Sequence, residues 1–152
     1  MRGYAGTGTR SINTTNNTNT VVSLNQPNTA LKRLAVYFLE IHSDATADNA
    51  YTIAVARLTA AGSGGVTFTP TILDPADGAA SAIFRQNDTT NPTITAKSDL
   101  LRIGGHQRAN VQWYAPPGME LIVPVTNNAG IVTICTVVTA GFQQVHTMHW
   151  TE

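Results

Sequence analysis

Apolar and polar residues alternate along this chain in short runs of period two, which is the spacing of β-strands half-buried in a sheet. Val111-Gln112-Trp113-Tyr114 runs into the turn Ala115-Pro116-Pro117-Gly118, and Met119–Thr126 into Asn127-Asn128-Ala129-Gly130. The third run, Ile131–Thr139, is almost wholly β-branched or apolar. Upstream, Leu31–His42 is apolar on both faces, as a central strand should be, and Ala50–Thr59 sets Tyr51, Ile53 and Val55 against Thr52, Ala54 and Ala56. Ala61–Gly65 reads as a flexible turn and hairpin tip, and Val66, Phe68, Pro70 and Ile72 then alternate with threonines, with Pro70 marking a sheet edge or strand end. Asp74-Pro75-Ala76-Asp77 has the chemistry of an Asx turn or helix start, so the Ala-rich stretch Gly78–Phe84 is the one place for a short helix. Short strands follow at Thr93–Ala96 and Leu100–Ile103, and the chain closes with Phe142–Trp150. The pattern predicts an all-β, single-domain antiparallel β-sandwich, jelly-roll-like, of about eight strands.

Residues 1–30 differ from the rest. Asn13-Thr14-Thr15-Asn16-Asn17-Thr18-Asn19-Thr20 is polar with no charge, and apolar anchors are few. Such a segment does not bury enough apolar area to offset its ordering entropy alone. It is either a disordered tail or an arm ordered against neighbouring subunits; its Thr content favours extended backbone and hence the arm. The expected division is an extended N-terminal arm, 1–30, and a sandwich domain, 31–152. Tyr4, Ile12, Val21 and Leu24 would be the arm's apolar pegs, and Arg2 and Arg10 would pair with acidic groups on a neighbour. On that reading, a chain lacking residues 2–24 remains a folded sandwich.

Composition narrows the functional classes. The 152 residues are 42% hydrophobic and only 12% charged, about half the usual charged share, and the net charge is zero. The densest basic pair is Lys32-Arg33, so the cation cluster that phosphate recognition needs is missing and nucleic acid is not an expected partner. The apolar runs are broken by Asn, Gly, Pro and Thr, so no membrane partner is expected, and no signal-peptide h-region is visible near Met1. The single cysteine, Cys135, excludes an internal disulfide and reads as a small buried hydrophobe.

Candidate chemistry is sparse. His146 and His149 stand three apart, but on a strand they face opposite ways, so they read as surface or interface histidines and not as a metal pair. Asp44, Asp48, Asp74, Asp77 and Asp88 fall in predicted loops without a calcium-loop spacing. Glu40 and Glu120 are not set up as a paired acid and base, and no nucleophile elbow, phosphate loop or dinucleotide fingerprint occurs. The sequence thus names no catalytic, cofactor or metal residue, and no cofactor, and predicts a protein that is not an enzyme. Tyr4, Tyr37, Tyr51, Trp113, Tyr114 and Trp150 are enough aromatics for a sugar-stacking platform, though aromatics on strands more often pack a core or interface.

Three passages together resemble the small decoration, or cement, proteins of tailed-bacteriophage heads, which have a jelly-roll-like sandwich. They are Leu31–Ile41 with the following strand Tyr51–Leu58; Leu73-Asp74-Pro75-Ala76-Asp77 with its Ala-rich sequel; and Gln112-Trp113-Tyr114-Ala115-Pro116-Pro117-Gly118-Met119-Glu120-Leu121-Ile122-Val123. The Asn/Thr-rich arm is not general in that group. The resemblance implies a non-enzymatic virion protein, assembled in the host cytoplasm, that binds the major capsid protein on the outer head surface as a dimer or trimer. A carbohydrate- or receptor-binding module of a tail fibre or spike is the alternative. A jelly-roll coat protein of a small virus is a third reading, for which the chain is short and lacks a basic inner arm.

Overall fold

The computed structural model describes residues 1–12, 19–44, 50–106, 108–137 and 142–152, with backbone alone at 96–98 and 137. Among them lie twelve strands: β1 (Gly3–Ile12), β2 (Asn19–Asn25), β3 (Leu34–Ser43), β4 (Ala50–Ala60), β5 (Val66–Phe68), β6 (Thr71–Ile72), β7 (Ile83–Gln86), β8 (Thr93–His106), β9 (Val111–Tyr114), β10 (Leu121–Val123), β11 (Gly130–Val137) and β12 (Phe142–Thr151). They form two antiparallel sheets packed as a sandwich. The first has the order β10-β3-β12-β1-β6, with β9 also on β3, and the second β5-β7-β2-β11-β4-β8. The count exceeds the expected eight because β1 and β2 come from the expected arm, β7 comes from the expected helix, and the run Val66–Ile72 forms two strands, β5 and β6, while the two short strands expected at Thr93–Ala96 and Leu100–Ile103 are one, β8.

The N-terminal arm does not exist as a separate body, and residue 31 is not a domain boundary. β1 lies inside the first sheet between β12 and β6, paired with β12 from Gly3↔Thr151 to Ile12↔Phe142. β2 lies inside the second sheet between β7 and β11, and every one of its residues is buried. The polarity that suggested an arm is absorbed by neighbours. The Asn25 amide donates to Ser23 Oγ at 3.0 Å, and Thr133 Oγ1 bonds the backbone of Val22 where the β2–β11 ladder is interrupted by a bulge.

The core lies between the sheets. Along β12 the side chains of Phe142, Gln144, His146, Met148 and Trp150 are buried and their neighbours are partly exposed, a clean period of two. Trp150 stacks on Tyr4 of the same sheet at 6.0 Å and on Phe84 of the other sheet at 5.9 Å, so three rings tie the layers together. Gly6 and Gly8 let β1 come this close: a Cβ at Gly6 would lie 2.7 Å from the Phe84 ring, and one at Gly8 would lie 2.5 Å from Val22 Cγ1. Ile131 and Cys135 of β11 join this core, while Val132 and Ile134 pack with Ala56 and Leu58 in a smaller cluster on the strand's other face. This is why Ile131–Thr139 has no polar side; residues 138 and 139 lie outside the described residues. Cys135 is buried as expected, and burial pushes its thiol up to about 12.

Other expectations need correction. No helix occurs among the described residues, and Gly78–Ala82 is irregular and leads into β7 at Ile83. The Asx turn before it does form, with Ala76 N donating to Asp74 Oδ1 at 3.0 Å. The segment is held from outside by the Glu152 carboxylate, which accepts from Ser81 N, Ser81 Oγ, Ala82 N and Lys32 Nζ. Burial pushes this carboxyl up in pKa, but the four hydrogen bonds outweigh it and hold it below its ordinary value. Glu152→Ala should therefore cost about 2 kcal/mol, because two backbone N–H groups lose their acceptor; urea denaturation would show the loss as a lower midpoint with an unchanged slope. The Ala61–Gly65 turn is not a hairpin tip, since β4 and β5 stand at opposite sides of the second sheet; Ser63 bridges Thr90 instead. Within Met119–Thr126 only Leu121–Val123 is strand.

Candidate functional site

The inner faces of both sheets are occupied by packing, so recognition falls to the outer faces, and the first sheet has the more distinctive one. Register sets two neighbouring rows of side chains across four strands there. One row is Tyr114, Phe38, His149 and Ala5; the next is Gln112, Glu40, Thr147 and Thr7. The first row is aromatic, with Phe38 4.7 Å from the Tyr114 ring and 4.7 Å from His149. Tyr114 is 64% exposed while Phe38 is 7% exposed, so Phe38 is the floor and Tyr114 the accessible surface. A bulge between β3 and β12 passes over Tyr37, which brings a second consecutive aromatic within 6.0 Å of His149.

The second row is hydrogen-bonded. Gln112 Nε2 donates to Glu40 Oε1 at 3.0 Å, and the Thr7 and Thr147 hydroxyls meet at 2.9 Å. Burial lowers the His149 pKa, and Glu40 opposes this only in part. Burial likewise raises the Tyr37 phenol. At the end of the face a shallow depression of about 220 Å³ is lined by Tyr37, Ala35, Thr151, Met1, Arg33 and Glu120. The Glu120 carboxylate is held low by its own backbone N–H, that of Gly118 and, more weakly, Arg33. Rings for stacking beside the carboxylates of Glu40 and Glu120 and several hydroxyls suit binding. No activated nucleophile or acid–base pair converges there.

The six residues predicted to contact a partner are not brought together. Tyr4, Ile12, Val21 and Leu24 are core residues, and the Tyr4 hydroxyl donates to Gly78 O at 2.9 Å. Arg10 donates to Thr20 O at 2.8 Å and Asp88 O at 2.9 Å, an internal brace; burial lowers its pKa, partly opposed by Asp88. Arg2 alone is half-exposed, with Nε 3.7 Å from Asp77. The two histidines do face opposite ways, but His146 is not at the surface. It is fully buried, with Nδ1 2.8 Å from Thr133 Oγ1 and Nε2 3.0 Å from Gln144 Oε1. Among the described residues no group of three or more His, Cys, Asp or Glu is placed to hold a metal ion. Of the aromatics considered for a platform, Tyr37 and Tyr114 are on the outer face, whereas Tyr4, Tyr51 and Trp150 are buried. Phe38, Glu40, Gln112 and His149 were not foreseen as a group, because cross-strand register and a bulge assemble them.

Comparison with protein-family profiles, curated proteins and solved structures finds no match to this chain.

Proposed function

We propose that the sandwich is a jelly roll and that the protein is a non-enzymatic virion component, docking on the outer surface of a phage capsid as a decoration protein. The observation that carries this reading is the outer face of the first sheet, with its exposed Tyr114 over Phe38 and only Glu40 charged in the two central rows. A nearly uncharged face with an aromatic anchor suits a protein–protein contact, in which buried unpaired charge is costly. Strand order supports the jelly roll. Without the three short strands β5, β6 and β7, β1-β12-β3-β9/β10 faces β2-β11-β4-β8, and the chain changes sheet at every step except β4 to β8, as two intertwined Greek keys do. The partner is then the major capsid protein, and attachment runs through the sheet face, with no part for an N-terminal arm.

Quantitative mass spectrometry of purified particles should find the protein at a copy number matching the capsid lattice. Tyr114→Ala should lower occupancy about tenfold or more while leaving the melting temperature unchanged, since Tyr114 is exposed. Absence from particles, or full occupancy by the variant, would overturn the reading. The second reading, a carbohydrate- or receptor-binding module, is favoured by one feature, the Glu40–Gln112 hydrogen bond beside the Tyr114 ring, since sugars take a ring against C–H faces and a carboxylate for hydroxyls. Glycan-array binding lost in Tyr114→Ala, with no particle association, selects it.

A further inference from the structure

We propose that the open edge of β1, from Thr7 to Ser11, is a strand-addition site for one extended, uncharged peptide segment, with Gln86 holding its place until it is filled. The inference does not depend on what the first sheet's outer face takes.

The ladder shows which way the main chain of β1 points. Arg2 and Glu152 exchange both of their bonds, Arg2 N to Glu152 O at 3.1 Å and Glu152 N to Arg2 O at 3.0 Å. Antiparallel pairing alternates from there, so even-numbered residues of β1 turn N–H and C=O to β12 and odd-numbered ones turn theirs away. On the far side β6 pairs only with Tyr4 and Ala5, and before Thr71 the chain belongs to the second sheet as β5. No described strand therefore continues β6 along Thr7, Thr9 and Ser11. The pairing with β12 runs to Ile12 without a bulge, so this edge is straight, and Thr7 and Ser11 are exposed.

Thr9 alone has a partner there. Its N–H donates to Gln86 Oε1 at 2.5 Å, so a side chain from β7 sits where a neighbouring strand's carbonyl would be. An incoming carbonyl replaces it bond for bond and the released amide turns to water, so the exchange costs little.

The surroundings decide what fits. Gly6 lies against Phe84 and Gly8 against Val22 and Gln86, so β1 stands over β7 and β2, and β5, the next strand out, lies under the open slot. Beside Thr7 a depression of about 210 Å³ is lined by Ala5, Gly6, Thr7, Phe68, Thr69 and Thr71. A second copy brought edge to edge would drive its own second sheet into β5, whereas a single extended chain has β5 as its floor. The lining carries no charge, and Arg10 and Arg85 are both bonded to Asp88, so the segment that fits is uncharged. Main-chain bonds hold it, and the depression beside Phe68 selects its side chain.

Titration calorimetry on the full chain tests this with a capped peptide of alternating threonine and valine, and with the same peptide fully N-methylated. The wild type should bind the first with a Kd on the order of 100 μM and not the second, which lacks the donors of a ladder. Gln86→Ala should tighten binding about fivefold, because the competing acceptor is gone. Thr7→Pro should weaken it about tenfold or more, by removing a donor and placing a ring in the slot, while the β12 ladder, which does not use this N–H, persists. Thermal melts report whether Thr7→Pro folds; if it does not, the methylated peptide and Gln86→Ala decide. Absence of binding to the wild type, equal binding of the methylated peptide, weaker binding by Gln86→Ala, or undiminished binding by a folded Thr7→Pro would each overturn the proposal.

Discussion

Removing residues 2–24 should abolish folding. Five of the deleted side chains, Tyr4, Ile12, Val21, Val22 and Leu24, belong to the main core, and the cut takes all but one residue of β1 and β2 from the two sheets. Burial of side chains of this size contributes about 1.5–3 kcal/mol each, so the loss is on the order of 10 kcal/mol. That equals the whole stability of an ordinary domain. The deletion also exposes β12 on one side and β11 on another as unpaired edges, which promotes aggregation. The truncated chain is expected in the insoluble fraction, without a cooperative melt. A soluble product melting within a few degrees of the full chain would mean that β1 and β2 are dispensable.

Mild acid should destabilise the protein through His146. Burial lowers its pKa to about 3, helped by the nearby His42, and its neutral ring sits between Thr133 on β11 and Gln144 on its own strand. The unfolded chain takes up a proton near pH 6.5 and the folded one resists until about pH 3. Between those limits the unfolded state binds more protons, so stability falls as pH falls, at about 1.4 kcal/mol per pH unit. The effect is about 2 kcal/mol by pH 5 and fully developed only near pH 3. His149, lowered in the same direction, adds to the slope, whereas Glu152, also lowered, loses its contribution only below the ordinary carboxylate range. His146→Gln keeps a donor and an acceptor at the site but does not titrate. Urea midpoints at pH 7 and pH 5 should therefore differ less in H146Q than in the wild type. Equal differences in the two proteins would show that His146 takes no part.

Much of the sandwich is legible in the residues. Turns carry their own chemistry: Gly118 has φ 84° and Asn128 φ 60°, at the turns marked by Pro-Pro-Gly and Asn-Asn-Ala-Gly. β4 and β12 show their alternation openly. β2 does not, because Asn19, Thr20, Ser23 and Asn25 are buried, and burial of polar groups depends on partners distant in sequence. Thr133, for example, meets Val22 from 111 residues away. Glycines mislead in the same way. Gly6 and Gly8 add nothing apolar to the segment, yet they are where Phe84 and Val22 press on β1. The candidate face was the least legible part. Tyr114 and Tyr37 are visible as aromatics, but only the bulge at Tyr37 and the register Phe38↔Tyr114 place them around His149.

The β1–β12 ladder also makes the fold mechanically anisotropic. Gly3 and Thr151 are cross-strand neighbours at one end of the ladder, and Ile12 and Phe142 close the other. Tension applied between residues 3 and 151 would peel the strands apart one pair at a time, so only the terminal bonds carry load at any moment. Tension between residues 3 and 142 would instead pull along the strands and load every pair at once. Load carried along these strands is therefore borne well, and load applied to the paired ends of β1 and β12 is borne weakly.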